Sequence, residues 1–206
     1  MATHVTHIVL TDSIYEEFFP DCSKKEFILW TILPDIRYLD KTIPREKYHM
    51  KDVSLDAVLW QKDCFQKWIY FHSLVDQVRD NFYISKWIYT FWWDEDFIVA
   101  LKLFEDQYFY NKIKKRDEYL KLFDDIPYEK APDIKKESLD TRYMMIKEWI
   151  MESPNNTARR IFQKQLGLSE EYTNRINNII GKIEKDEKLL RIIDELYESF
   201  KELIQK

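Results

Sequence analysis

Apolar positions recur at helical spacing along most of the chain. Val5, Ile8, Val9, Tyr15, Phe18 and Phe19 form one apolar side and predict a helix over about residues 4 to 19, closed by Pro20. Ser23 followed by Glu26 has the form of a capping box and starts a second helix, which carries Phe27, Ile28 and Trp30 toward the break at Pro34. Residues 33–49 hold two prolines and no sustained period, which predicts an ordered loop with one helical turn before His49. Ser54 is placed to cap the strongest helix, along which Leu55, Val58, Phe65, Trp68, Val75 and Phe82 recur at intervals of three and seven. From about Asp94, Phe97, Leu101, Phe104 and Tyr108 mark another amphipathic helix. The charged, proline-containing run 124–138 predicts a surface connection, followed by helices over about 138 to 152 and 156 to 166. Gly167 is placed to end the latter and Ser169 to cap a long final helix, with Gly181 marking a bend.

Composition narrows this picture. The chain has 206 residues, enough for one domain burying about 70% of its unfolded surface, so residues 1–206 are expected to form a single helical domain. With 2 glycines it lacks the positive-φ positions that repeated hairpin turns demand, which favours an all-α bundle. A net charge of -5 argues against a broad surface for nucleic-acid backbones. Cys22 and Cys64 lie far apart without a C-x-x-C pair, so free thiols are expected. No export signal precedes Asp12, and no apolar run approaches the ~20 residues of a transmembrane helix, so a cytoplasmic location is expected.

The histidines change the picture most. His4, His7, His49 and His72 all fall in the first 72 residues. His72 and Asp76 stand four apart on a helix, so both side chains leave the same face and can reach one ion. Asp35 follows Pro34 in the loop that His49 closes, adding a carboxylate and an imidazole from outside that helix. Two nitrogens and two oxygens suit zinc or another first-row divalent ion. His7 could add a fifth ligand or hold a second ion through a shared Asp76. The alternative is a core in which His72 and Asp76 merely hydrogen-bond.

The order of these pieces, His7, Pro34-Asp35-Ile36, His49 and then Phe71-His72 through Asp76, resembles the zinc-dependent bacterial phospholipase C enzymes and related single-strand nucleases over about residues 4 to 80. The resemblance implies an all-helical phospholipase C/nuclease-like fold around zinc and hydrolysis of phosphate esters. It assigns Asp35, His49, His72 and Asp76 to one zinc, with Asp76 bridging to a second held by His7, and gives Asp35 the orienting of the attacking water. In the family the mature N-terminus helps hold the second ion; here His4, one turn before His7, is the substitute. Family members also supply histidines and a glutamate further downstream. This chain has no histidine after His72, only carboxylates such as Asp94, Asp96, Glu105 and Asp106, of which Glu105 or Asp106 would face the cluster or lie on a solvated face. One or two ions are therefore expected. Arg37 and Arg79 are candidates for pairing with a substrate phosphate or with the ligand carboxylates.

The function so implied is a metal-dependent phosphodiesterase or phospholipase C-like hydrolase acting on a small-molecule or lipid-derived phosphate ester. The competing class is a helical binding or scaffold protein around a closed structural metal site. Trp87, Trp92 and Trp93 are expected to fill the core, and Lys112, Lys114, Lys115 and Arg116 to form a solvated helix end.

Overall fold

The computed structural model describes residues 3–91, 95–113, 116–155, 159–160 and 167–206, with the backbone alone for residues 90 and 91. The helices are α1 (His4–Phe18), α2 (Lys24–Thr31), α3 (Leu55–Leu59), α4 (Cys64–Ser85), α5 (Ile88–Phe91), α6 (Glu95–Tyr110), α7 (Arg116–Leu122), α8 (Lys136–Met151), α9 (Glu170–Ile183) and α10 (Glu187–Leu203). Single helical turns at Pro34–Tyr38 and Arg45–Lys47 punctuate the loop between α2 and α3. No strand occurs among the described residues, so the fold is all-α. No described helix is long and apolar enough to cross a membrane. The helix expected over 156 to 166 falls, apart from Arg159 and Arg160, outside the described residues.

The caps explain most of the boundaries. Ser23, Ser54 and Ser169 each accept the backbone N–H three residues on, from Glu26, Ala57 and Tyr172. Gly167, two residues before the N-cap of α9, adopts φ +72°, a left-handed conformation that glycine takes without strain. Two expected helices are nevertheless split. Ser54 caps only the short α3, and the long stripe restarts at α4, where Asp63 accepts from Gln66 N–H. The stripe survives because α3 folds back on α4. The final helix is likewise two, α9 and α10, and the break falls at Asp186, which caps α10 by accepting from Leu189 N–H, rather than at Gly181. In both cases an internal Asp offered a competing N-cap that an apolar stripe does not reveal.

Buried apolar residues from Val5 to Ile204 form one continuous core. At its centre lies α1, whose residues His4 to Thr11 are all buried and which packs on α2, α4, α6 and α10. A helix enclosed on every side buries its polar side chains too, and these must find partners. Asp106 on α6 supplies one: its carboxylate accepts from Thr6 N–H at 2.8 Å and from the hydroxyls of Thr3 and Thr6, capping α1 from a distant part of the chain. Trp149 Nε1–H donates to its other oxygen.

Glu105 is also buried and accepts from Arg79 Nε at 2.8 Å and from the Tyr83 hydroxyl. The expectation that Glu105 or Asp106 faces the histidines or lies on a solvated face is thus overturned: both are consumed in tying α6 to α1, α4 and α8. Arg79, fully buried, is spent on Glu105, Asp80 and Tyr89 and pairs with neither a ligand carboxylate nor an open surface. Glu105→Ala is expected to destabilise the fold by about 3–5 kcal/mol, because it strands a buried guanidinium. Urea denaturation measures that loss, and an unchanged metal content would separate this pair from the metal centre.

Other expectations are corrected. Cys22 and Cys64 are joined in a disulfide, and no free cysteine remains. Sequence spacing carries no sign of it, since the pairing arises from α2 packing against α4. Trp87 is 66% exposed, with φ 61° just beyond the end of α4, rather than in the core. Trp92, Trp93, Asp94, Lys114 and Lys115 lie outside the described residues. Of the basic helix end, Lys112 lies over the Tyr197 ring and Arg116 donates to the Tyr110 hydroxyl. Asp96 pairs with Arg175.

Candidate metal centre

Three separate segments bring their polar side chains to one point in the core. α1 contributes His7, the turn after Pro34 contributes Asp35, the end of the same loop contributes His49, and α4 contributes His72 and Asp76. All of these side chains are buried. His72 is the hub. Its Nδ1 lies 2.7 Å from the carbonyl oxygen of Thr31 at the end of α2. A carbonyl only accepts, so Nδ1 carries the proton and the Nε2 lone pair faces the cluster.

Around that lone pair the distances are uniform. His72 Nε2 stands 3.2 Å from His49 Nε2 and 3.4 Å from Asp76 Oδ2, and His49 Nε2 stands 3.4 Å from Asp35 Oδ1. A charge-assisted N–H···O bond is shorter, about 2.7–2.9 Å. By contrast, four ligands held tetrahedrally at 2.0–2.1 Å from a zinc ion sit roughly 3.3–3.4 Å apart. The observed spacings match edges of such an arrangement, and the donors fall into two groups of three, the first being Asp35, His49 and His72. The donor set therefore fits zinc or a similar divalent ion.

Asp76 turns its two oxygens in different directions. Oδ2 faces His72, and Oδ1 lies 3.4 Å from His7 Nε2. The His7 ring stacks on that of His72, with centroids 4.2 Å apart and planes 17° from parallel. His7, His72 and Asp76 thus form a second group of donors that shares His72 with the first. Neither ring nitrogen of His7 has a hydrogen-bond partner among the described residues, nor has Asp35 Oδ1. Buried polar atoms in that condition are rare in folded proteins and call for a ligand.

The charges of these groups follow from burial and from one another. Burial, reinforced by the neighbouring His7, holds the His72 pKa down to about 3, so its imidazole is neutral at ordinary pH and has no proton to lose on binding a metal. Burial opposes ionisation of Asp35 and Asp76. The imidazoles of His49 and His72 with Arg142 nonetheless keep the Asp35 carboxyl well below its usual range, and His72 and His7 do the same for Asp76. Neutral imidazoles and ionised carboxylates are the forms that coordinate metals.

Of the sequence-derived candidates, His7, Asp35, His49, His72 and Asp76 converge. His4 does not join them: it is buried beside the cluster but belongs to neither donor group, being one helical turn from His7. It lines instead, with Asp35, a cavity of about 360 Å³. Arg37 lies over the Tyr38 ring and donates to its hydroxyl. Two groups escaped the sequence reasoning, the Thr31 carbonyl and Arg142 on α8. Arg142 had a signal, because it interrupts the apolar stripe Leu139, Tyr143, Ile146, Trp149 and Ile150 of its helix. Set against family models, curated proteins and solved structures, the chain matches none of them.

Proposed function

We propose that the protein is a metal-dependent hydrolase of phosphate esters, a phosphodiesterase or phospholipase C-like enzyme with one or two zinc ions. One observation carries this reading: imidazole and carboxylate donors from separate segments stand in two groups of three at metal-ligand spacing, and one of them, Asp35, also forms the wall of a cavity. Asp35, His49, His72 and Asp76 would hold the first ion, and His7 with the second oxygen of Asp76 would hold the other. A divalent ion there supplies Lewis acidity toward water and a phosphoryl oxygen. The chain's own part is to orient and to exclude. Asp35, placed between cluster and cavity, accepts a hydrogen bond from an attacking water and aims it at a phosphorus atom in the cavity. His72 is locked by Thr31, and the apolar core keeps bulk water from the other side of the cluster. Lys41 and Lys102 on the cavity wall favour an anionic substrate, a small or lipid-derived phosphate ester.

A second reading has its own support. Asp35, His49, His72 and Asp76 would together supply the four protein donors of a closed structural ion in a non-catalytic scaffold. The cavity at Asp35 and the unpartnered nitrogens of His7 favour the catalytic reading. As for location, the Cys22–Cys64 disulfide supports an oxidising compartment over the cytoplasm.

The deciding experiment is elemental analysis of purified protein combined with hydrolysis of bis-p-nitrophenyl phosphate. One or two zinc ions per chain are expected, with turnover that disappears on chelation and returns with added zinc. Bound zinc without turnover would favour the scaffold, and the absence of metal would end both readings.

A further inference from the structure

The cavity beside Asp35 carries a buried charge that the metal centre does not use. Arg142 lines it from α8 and is 3% exposed. One guanidinium nitrogen, Nη2, donates to the Ile32 carbonyl at 3.3 Å, and the same nitrogen lies 4.0 Å from Asp35 Oδ2, beyond direct hydrogen-bond reach. Its Nε–H is buried with no partner among the described residues. A guanidinium presents its donors as a planar fork suited to two oxygens of one phosphate or carboxylate, and leaving such donors unpaired in the interior is unfavourable.

Charge balance points the same way. The carboxylates of Asp35 and Asp76 together match one divalent ion, which leaves the positive charge of Arg142 without compensation. The other acid on the cavity wall, Asp106, is already engaged by Thr3, Thr6 and Trp149. Lys102 and Lys41 add further positive charge to the same wall. Asp35 also sets the span. Its Oδ1 faces His49 and its Oδ2 faces Arg142, so the cluster and the guanidinium are separated by the width of one carboxylate. A phosphoryl group has oxygens at similar spacing and reaches both sides at once.

Much of the remaining lining is apolar, with Val99, Leu103, Trp149 and Leu168 alongside Tyr38 and Tyr172. Its volume of about 360 Å³ lies at the small end of ligand sites. We infer that Arg142 is the anion anchor of this cavity, holding the non-bridging oxygens of a phosphate ester whose other substituent is compact and apolar. The inference rests on the hydrolase reading for the word ester, and on the cavity alone for the anion and the apolar group.

The test is calorimetric binding of phenylphosphonate, which is not hydrolysed, with inorganic phosphate as the second probe. The wild-type protein as purified should bind phenylphosphonate more tightly than phosphate. Arg142→Gln should weaken phenylphosphonate binding at least roughly tenfold, and Arg142→Lys, which keeps the charge but loses the fork, roughly fivefold. Zinc content should stay at the wild-type level in both. Leu168→Ser, at the partly exposed rim and safe for folding should Arg142→Gln fail to fold, should weaken phenylphosphonate about threefold and leave phosphate unchanged. Wild-type protein that binds no phenylphosphonate, or Arg142→Lys protein that binds it as the wild type does, overturns the anchor. Zinc-dependent turnover alongside that result would leave the hydrolase reading standing. Arg142-dependent phenylphosphonate binding in a protein without metal or turnover would instead uphold the anchor and remove the hydrolase.

Discussion

Alanine in place of His72 is expected to reduce bound zinc from at least one ion per chain to a trace and to bring phosphodiester hydrolysis to background. The size of the effect follows from position. His72 belongs to both donor groups, so its loss leaves two donors in each. It also frees the Thr31 carbonyl, whose hydrogen bond sets the ring's tautomer. The same substitution makes a second, separable forecast for the metal-free protein. Burial holds the folded-state pKa of His72 at about 3, below its unfolded value near 6.5. Above pH 6.5 neither state binds the proton and nothing is lost. As pH falls from 6.5 toward 3 the unfolded chain takes up a proton that the folded one refuses, and stability drops by up to about 1.4 kcal/mol per pH unit. Chelated wild-type protein should therefore lose stability between pH 6 and pH 4 more steeply than His72→Ala, as urea midpoints would measure. A variant that kept stoichiometric zinc would sink the assignment of the centre, and identical acid slopes would sink the neutral, buried imidazole.

That the centre could be read from the chain at all depends on where its donors sit. His72 and Asp76 are related by helix geometry, which periodicity reveals, and Asp35 and His49 stand at recognisable punctuation, after a proline and at the end of a loop. Helix starts at Ser23, Ser54 and Ser169 were legible for the same reason, since capping is local chemistry. What was not legible depends on packing between distant segments. Glu105 and Asp106 look like solvated acids on an amphipathic helix, yet α6 turns both inward, one to Arg79 and one to the start of α1. Arg79 looks free to serve the metal ligands one turn away, but the helix that packs on it brings a better partner. The breaks at Asp63 and Asp186 show a different limit: an apolar stripe records which face is buried and is blind to a cap that splits the helix beneath it.

The absence of histidines beyond His72 also acquires a physical sense. In this fold the cluster is flanked by the buried His4 and by Arg142, both of which line the cavity beside it. A third cation next to Arg142 would be repelled, whereas an anion would be held. The His/Asp cluster therefore lies beside a cavity whose wall carries Arg142, Lys41 and Lys102.

Removing the disulfide by Cys64→Ser or Cys22→Ser is expected to lower stability by about 4 kcal/mol, since the bond closes a loop with a sequence separation of 42. For a chain of this length that corresponds to a fall in Tm of roughly 8–16 °C. The consequence should extend to the metal. The bond joins the connection just before α2 to the first residue of α4. α2 ends in Thr31, whose carbonyl holds His72, and α4 carries His72 and Asp76, so the disulfide fixes the two helices whose relative placement sets the hub. Loosening an outer partner of this kind weakens metal affinity by about 10–100-fold. Zinc transfer to a chromogenic chelator should accordingly be faster from the serine variants, and from wild-type protein after reduction, than from the oxidised protein. Scanning calorimetry of the oxidised and reduced forms, with the redox state checked by intact mass, measures the stability term. Equal Tm values would mean that the bond stabilises nothing. Unequal Tm values with equal zinc transfer rates would mean that the disulfide supports the fold without reaching the hub.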